Sequence, residues 1–281
     1  MKTSATISEI IHKRREDLQR EMGEIPLNKL LDRLESNENI HRSTNSGIKN
    51  KSFKESINQE EDVAVICEFK PASPSKGHIS DSKLEDAIEI FNKTGASAVS
   101  ILTEERYFNG SLKNVEEARN ITDLPILRKD FILNEYQIYQ AKLAGASAVL
   151  LMNDIYPDIK QGISVCNELD IGYIVECKNK EDLKNSLEYG AEVVGINNRN
   201  FLNFTIDLKT TEKLAGCVPP EVVLVSESGV KDSEDAKKLA GYGVDAILVG
   251  TAIMGVKNKT DMYRSADNII KSVKGSRIDR K

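Results

Sequence analysis

Apolar positions along this chain repeat in one recognisable unit. Four times a stretch with apolar residues at helical spacing stops at a glycine, and a short apolar run follows at once: GASAV at 95–99, GASAV again at 145–149, GAEVV at 190–194 and GVDAI at 243–247. The glycine suits the left-handed position that ends a helix, and the run suits a buried strand. The intervals between these glycines are about twice the length of one strand–helix unit, so further strands are expected between them. Strands are predicted near 63–70, 98–103, 125–130, 148–153, 172–177, 193–198, 222–228 and 245–250. Helices are predicted at about 83–94, 112–120, 134–144, 158–169, 180–189, 207–215, 232–241 and 258–273. Eight strands, each followed by a helix, predict an α/β fold of the (β/α)8 TIM-barrel kind in preference to an open doubly wound sheet.

Ahead of the first strand, ATISEIIHKRREDLQREM carries Ile7, Ile10, Ile11 and Leu18 near helical spacing. This amphipathic helix has two places open to it, the barrel's lower rim or the mouth above its active site. The stretch from Ser36 to Glu61, rich in Asn, Ser, Lys and Glu, reads as a linker or mobile loop. Residues 1–62 are thus expected to form an N-terminal helical extension with a loop, and 63–275 the barrel.

Composition narrows the function. A chain of 281 residues, 40% of them hydrophobic, is long enough for one large core. Its 39 Lys and Arg against 44 Asp and Glu give a net charge of -5, and the basic residues are spread out, so no nucleic-acid partner is expected. Cys67, Cys166, Cys177 and Cys217 lie far apart without metal-ligand spacing, and three of them fall in apolar segments, as suits buried thiols in a reducing compartment. His12, His41 and His78 all lie at or before the first strand-to-helix turn, which supports neither a metal cluster nor a Ser-His-Asp set. No apolar run approaches the roughly 18 residues that span a bilayer, and no apolar signal core opens the chain, so the expectation is a cytoplasmic protein without a membrane partner.

The chemistry lies where the strands end. In a barrel the C-terminal ends of the strands form one open face that carries the active site. The first strand ends in Glu68 and Lys70, in phase with Ala64 and Ile66. PILRKDF ends in Lys129 and Asp130, GYIVEC in Glu176, VVGINNRN in Asn197, Asn198 and Arg199, and VVLVSESG in Ser226, Glu227 and Ser228. A single charge at a strand end is usually a solvated rim residue or half of an ion pair. Five strands doing the same thing point to a site, with Glu68, Lys70, Lys129, Glu176 and Asn197 as its core. Lysines crowded among carboxylates supply acids and bases with shifted pKa values, and a Schiff-base lysine is open to the same set. Gly229 after the seventh strand and Gly250 with Thr251 after the eighth stand where barrels commonly grip phosphate, and Ser73 would add a hydroxyl from the first loop. On local grounds SPSKG reads equally well as a sharp turn, and glycines at such turns are often only geometry.

CEFKPASPSKG, SILTEERYFNGSL, PILRKDFILNEYQIYQAKLAGASAVLLM, GINNRN, LVSESGV and DAILVGTAIM, in this order between Val63 and Met254, closely resemble the indole-3-glycerol-phosphate synthase family of tryptophan biosynthesis. The resemblance implies a (β/α)8 barrel whose N-terminal extension caps the site. It implies closure of the ring of 1-(2-carboxyphenylamino)-1-deoxyribulose 5-phosphate with loss of CO2 and water, without cofactor or metal. Lys129 then looks like the acid that protonates the substrate ketone, Glu176 like the carboxylate of ring closure and dehydration, and Glu68 with Lys70 like the family's E-x-K pair. Both Lys70 and Lys129 stand as proton donors on this reading. Asn197 and Arg199 would orient the substrate, Glu227 and Ser228 would line the same pocket, and Phe108 and Phe131 would pack on the anthranilate ring. Ser73, Gly229, Gly250 and Thr251, assisted by Lys70, would hold the phosphate. Pro71 departs from the family, where a basic residue is usual, and would stiffen the first loop.

The resemblance further implies a small phosphorylated substrate and a monomer open to contact with other tryptophan-pathway enzymes, and the length leaves no room for a second barrel. Two other readings compete: another phosphate-binding barrel enzyme of isomerase type, and a non-catalytic relative. An isomerase of that type relies on a Cys and Asp pair at strand ends, whereas Cys67 is out of phase with Glu68 and should face the helices. A non-catalytic relative would have lost a strand-end lysine or glutamate. Burial of Glu68 and Lys70 should lower stability relative to apolar residues.

Overall fold

The structure, a computed structural model, describes residues 6–43, 51–200 and 203–280. Its barrel strands are β1 (Ala64–Phe69), β2 (Ala98–Leu102), β3 (Ile126–Lys129), β4 (Ala148–Met152), β5 (Gly172–Cys177), β6 (Val193–Asn197), β7 (Val223–Glu227) and β8 (Ala246–Val249). Each pairs in parallel with its chain neighbours. β1 lies between β8 and β2, with Ala64 opposite Ala246 and Ile66 opposite Ala98, so the sheet closes into the expected barrel.

The period of two along each strand sorts side chains into two layers. Ile66, Leu127, Leu150, Ile174, Val225 and Leu248 fill the interior. Val65, Cys67, Val99, Val149, Val175 and Leu224 face outward into the layer shared with the helices. Because both faces are buried, the strands read as near-continuous apolar runs, with polar side chains gathered towards their ends and Ser100 in the middle of β2 an exception.

The N-terminal segment occupies both of the places open to it. Helix α1 (Ile7–Glu24) lies across the mouth, where Ile7 and Ile10 line a cavity with the strand-end residues. Helix α2 (Leu27–Ser43) runs beside the barrel. Helix α3 (Phe53–Ile57) closes the other end: Phe53 and Ile57 join the interior layer, and Phe53 abuts Gly172 at the start of β5. The linker expected from Ser36 to Glu61 is therefore corrected at the last turns of α2 and at α3, stays irregular at 51–52 and 58–61, and at 44–50 lies outside the described residues. A capping box between Ser52 and Glu55 starts α3, and two apolar residues four apart hold it, a signal too short to stand out from its polar surroundings.

Around the barrel follow α4 (Leu84–Thr94), α5 (Glu105–Phe108), α6 (Lys113–Arg119), α7 (Glu135–Leu143), α8 (Ile159–Glu168), α9 (Lys180–Glu188), α10 (Lys209–Ala215), α11 (Ser233–Ala240), α12 (Thr251–Met254) and α13 (Lys259–Ser272). Eight of them fall within two residues of the expected spans. The one-turn helices α5 and α12 are additions, both at the mouth. The four repeat glycines, Gly95, Gly145, Gly190 and Gly243, all have φ near +80°, which is why each ends its helix or turn.

Candidate active site

Glu68 continues the inward phase of Ala64 and Ile66, so it enters the barrel at its upper end, where it is 2% exposed. A carboxylate so placed needs a partner, and Lys70 supplies it, Nζ to Oε1 at 3.0 Å. Across the mouth Lys129 at the end of β3 donates to Oε2 of Glu227 at the end of β7, also at 3.0 Å. Glu176 on β5 accepts from the side-chain amide of Asn197 on β6 at 2.9 Å, and the Asn197 carbonyl accepts the Arg199 backbone N–H at 3.0 Å. Each of the three glutamates keeps one buried oxygen, Glu68 Oε2, Glu176 Oε1 and Glu227 Oε1, without a partner among the described residues. Of the three, only Glu176 lines the cavity, while Glu68 and Glu227 stand behind it and reach it through Lys70 and Lys129.

Two glycines make the room. A Cβ on Gly250 would stand 2.3 Å from Glu68 Oε1, and a Cβ on Gly195 would stand 2.3 Å from Glu227 Oε1. Gly250, expected as a phosphate contact, thus has a steric role at the first carboxylate. Gly195 was not singled out by sequence reasoning, since a glycine in an apolar strand signals close approach without saying to what.

Burial dominates the electrostatics. It pushes the Glu176 carboxyl up to about 7, with repulsion from Glu227 adding to the effect and Lys129 opposing it. Burial pulls Lys129 down, but Glu227, then Glu176 and Glu68, outweigh it and hold its ammonium above the ordinary lysine range. Burial lowers Arg199 against the pull of Glu68. The site therefore offers a firmly charged ammonium beside a carboxyl that takes or releases a proton near neutrality.

Aromatic walls close the cavity. Phe108 on α5 and Phe131 just after β3 face each other with ring centroids 6.0 Å apart, and Lys70 Nζ lies 5.9 Å from the centre of the Phe108 ring. Glu104, which sequence reasoning quoted without singling out, builds that wall: its carboxylate accepts the backbone N–H groups of Arg106, Tyr107 and Phe108. Its signal was an acidic residue directly before a short helix.

The phosphate candidates divide. Ser73 and Lys70 line the cavity, whereas Gly229, Gly250 and Thr251 do not, and of the expected pocket-lining pair Ser228 lines it and Glu227 does not. Ser73 also serves the turn, since its hydroxyl accepts the Lys76 N–H at 3.2 Å within the short hairpin of Ala72–Ser73 and Gly77–His78. The Pro71 carbonyl, accepting from Ile79 and Ser80, closes that first loop. Ser228 and Gly229 both have positive φ, 63° and 104°, a conformation that a serine holds only when its surroundings impose it. Asn198 imposes it, donating to the Ser226 hydroxyl and to the carbonyls of Glu227 and Ser228, each at 3.0 Å.

The mouth helix is fastened by Arg14, Asp17 and Arg106, which carry no signal of their own in the sequence, and by the strand-end Asp130. Arg14 grips Asp130 with two nitrogens, at 3.1 and 3.2 Å, and Asp17 grips Arg106 with two oxygens, both at 2.6 Å. Asp130 also accepts from Arg128 and Thr103, and although burial would raise its carboxyl, Arg14 and Arg128 hold it below the usual range. Cys67, the strand-end thiol an isomerase reading would need, faces the helices, with its thiol pushed up to about 12 by burial. Among the described residues no group of three or more His, Cys, Asp or Glu could hold a metal ion, and no helix is long and apolar enough to cross a membrane.

Comparison with known proteins agrees with this geometry. A sequence model of the indole-3-glycerol phosphate synthase family matches residues 7–265. The indole-3-glycerol phosphate synthase of Methanothermobacter marburgensis is 44% identical over 219 residues, 78% of this chain and 78% of that one. The enzyme of the same name from Caldanaerobacter subterraneus subsp. tengcongensis is 35% identical over 271 residues, 96% of this chain and 99% of that one. Among solved structures, the thiamine phosphate pyrophosphorylase of Pyrococcus furiosus superposes with a TM-score of 0.58 at 16% identity, covering 75% of this chain and 94% of that one, a likeness of fold alone. With the family match spanning barrel and mouth helix together, the chain belongs to the indole-3-glycerol phosphate synthase family.

Proposed function

We propose that the chain acts as a carboxy-lyase that converts 1-(2-carboxyphenylamino)-1-deoxyribulose 5-phosphate into indole-3-glycerol phosphate, CO2 and water. The observation that carries this reading is the Lys129 ammonium, kept charged by Glu227 and Glu176 and lining one cavity with the Phe108–Phe131 pair. The ring carbon that bears the carboxylate attacks the ketone carbon, and the ketone oxygen takes a proton from Lys129 to become a hydroxyl. CO2 then leaves, and the electrons of the broken C–C bond stay in the ring, which restores its aromaticity. Loss of that hydroxyl as water, with a proton removed from the new five-membered ring, completes the indole. Glu176, with a carboxyl near neutrality, serves this dehydration, and Asn197 holds it in place.

The remaining candidates take supporting parts in the same scheme. Phe108 and Phe131 hold the anthranilate ring and exclude water. Glu68 fixes Lys70, and Arg199 orients the substrate beneath the first loop. Ser73 and the Ser228–Gly229 turn, with Gly250 and Thr251 beyond it and Lys70 assisting, hold the phosphate. The protein works as a cytoplasmic monomer, residues 63–275 forming the catalytic barrel and α1, within the extension 1–62, its cap, without cofactor or metal.

The test is direct because the chain contains no Trp. Indole fluorescence that grows when the carboxyphenylamino-deoxyribulose phosphate is added arises from product alone. Turnover by the intact protein, reduced on the order of 10²- to 10⁴-fold in Lys129→Ala, is expected. A folded protein that produces no indole would overturn the reading.

A further inference from the structure

The two aromatic walls of the cavity are each attached to a charge that α1 holds. On one side Asp17, buried on α1, takes both prongs of Arg106, and Arg106 is the second residue of the four-residue helix that ends in Phe108. On the other side Arg14, one turn earlier, takes both oxygens of Asp130, which lies between Lys129 and Phe131 and also accepts the Phe131 backbone N–H at 2.8 Å. The far end of α1 is pinned to α7, where the Tyr136 hydroxyl donates to the carbonyls of Glu21 and Ile25 and Gln140 donates to the Glu21 carboxylate. One anchored helix thus fixes two loops that belong to different strands.

We propose that Arg14 and Asp17 are positioning residues that set the gap between the Phe108 and Phe131 rings, with α1 acting as the spacer. Neither touches the reacting atoms. Two-pronged Arg–carboxylate contacts fix orientation as well as distance, which a single hydrogen bond or an apolar contact would not do. Asp17–Arg106 aims the Phe108 wall, so its loss loosens the hold on the aromatic ring of the substrate. Arg14–Asp130 aims the segment that carries Lys129, so its loss displaces the proton donor.

The kinetic consequences rest on the synthase reading, and the test separates the two. Asp17→Ala and Arg106→Ala should each raise KM about tenfold with kcat changed less than about threefold, and the double variant should be no worse than either single. Arg14→Lys, which keeps the charge and loses the fork, should lower kcat about tenfold with little change in KM. Additive effects of the Asp17 and Arg106 substitutions, or KM and kcat both within twofold of the intact protein while Tm falls, would overturn the proposal and leave the pairs as fasteners of the fold. A second readout needs no substrate: amide exchange at Arg106, Tyr107 and Phe108 should accelerate about tenfold in Asp17→Ala. If the intact protein makes no indole, accelerated exchange upholds the positioning while the synthase reading falls, and unchanged exchange overturns the positioning.

Discussion

Gly195 on β6 lies so close to Glu227 on β7 that a Cβ would meet the carboxylate oxygen at 2.3 Å and the Ile174 side chain at 2.7 Å. The missing side chain is what lets Glu227 lie flat against β6 and reach Lys129. Gly195→Ala should therefore push the carboxylate aside, at a cost of about 1–3 kcal/mol in stability from overpacking and at least a tenfold loss of kcat. Denaturant titration and initial rates read the two effects separately. An alanine variant with unchanged kcat would mean that Glu227 does its work from elsewhere.

The raised Glu176 carboxyl predicts how stability depends on pH. Its folded value is about 7 against an ordinary 4.5, so between those values the native state holds a proton that the unfolded chain has released. Stability from this group is present at low pH and is lost as pH rises through the window. Glu176→Gln keeps an acceptor for Asn197 and removes the titration. Its Tm should exceed that of the intact protein at about pH 8, and the difference should shrink towards about pH 5. A difference that stays constant across the window would place the proton on another group.

The Glu68–Lys70 pair answers to a different measurement. Glu68 is 2% exposed and keeps Oε2 without a partner among the described residues, which is a costly way to end a strand. Replacing the pair by uncharged residues of similar size, Glu68→Gln with Lys70→Met, should raise Tm by a few degrees, in line with gains of about 1–4 kcal/mol when buried ion pairs are replaced. Turnover should be lost at the same time. A fall in Tm would mean that the pair holds the barrel together.

Much of this site was legible in the sequence because a barrel writes its active face into the ends of its strands. An aliphatic run that turns to Glu68, Glu176 or Glu227 at its last inward position has nowhere to put the charge except the mouth. The address of α1 was not legible in its periodicity, and only the family resemblance pointed to the mouth. Ile7, Ile10 and Leu18 define a buried face and say nothing about which end of the barrel it meets. That is decided by Arg14 and Asp17, whose partners lie 116 and 89 residues away. Helix α3 was hidden for a related reason: its two apolar residues are few, but both enter the barrel floor.

The opposite end of the barrel offers the last test. The Arg280 side chain, 5% exposed, pairs with Asp245 at 2.6 Å and donates to the carbonyls of Gly243 and Pro219. Asp245 precedes β8, accepts the Leu224 N–H and carries a second ion pair from Arg277 at 2.8 Å. Arg277 in turn donates to Asn58 and to the carbonyl of Glu61, just ahead of β1. The C-terminal residues thus tie β8 to the segment between α3 and β1, across the seam where the barrel closes. Arg280→Ala removes a charged, multiply bonded group while leaving Asp245 one cation, so a loss of about 2–3 kcal/mol is expected. For a chain of this size that is a drop of roughly 5–10 °C in Tm. Because the seam lies at the far end from Lys129, kcat at 25 °C should stay within about twofold. A variant that keeps its Tm would show that the strap is not part of the closure, and one that keeps its Tm but loses kcat would mean that the two ends of the barrel are coupled.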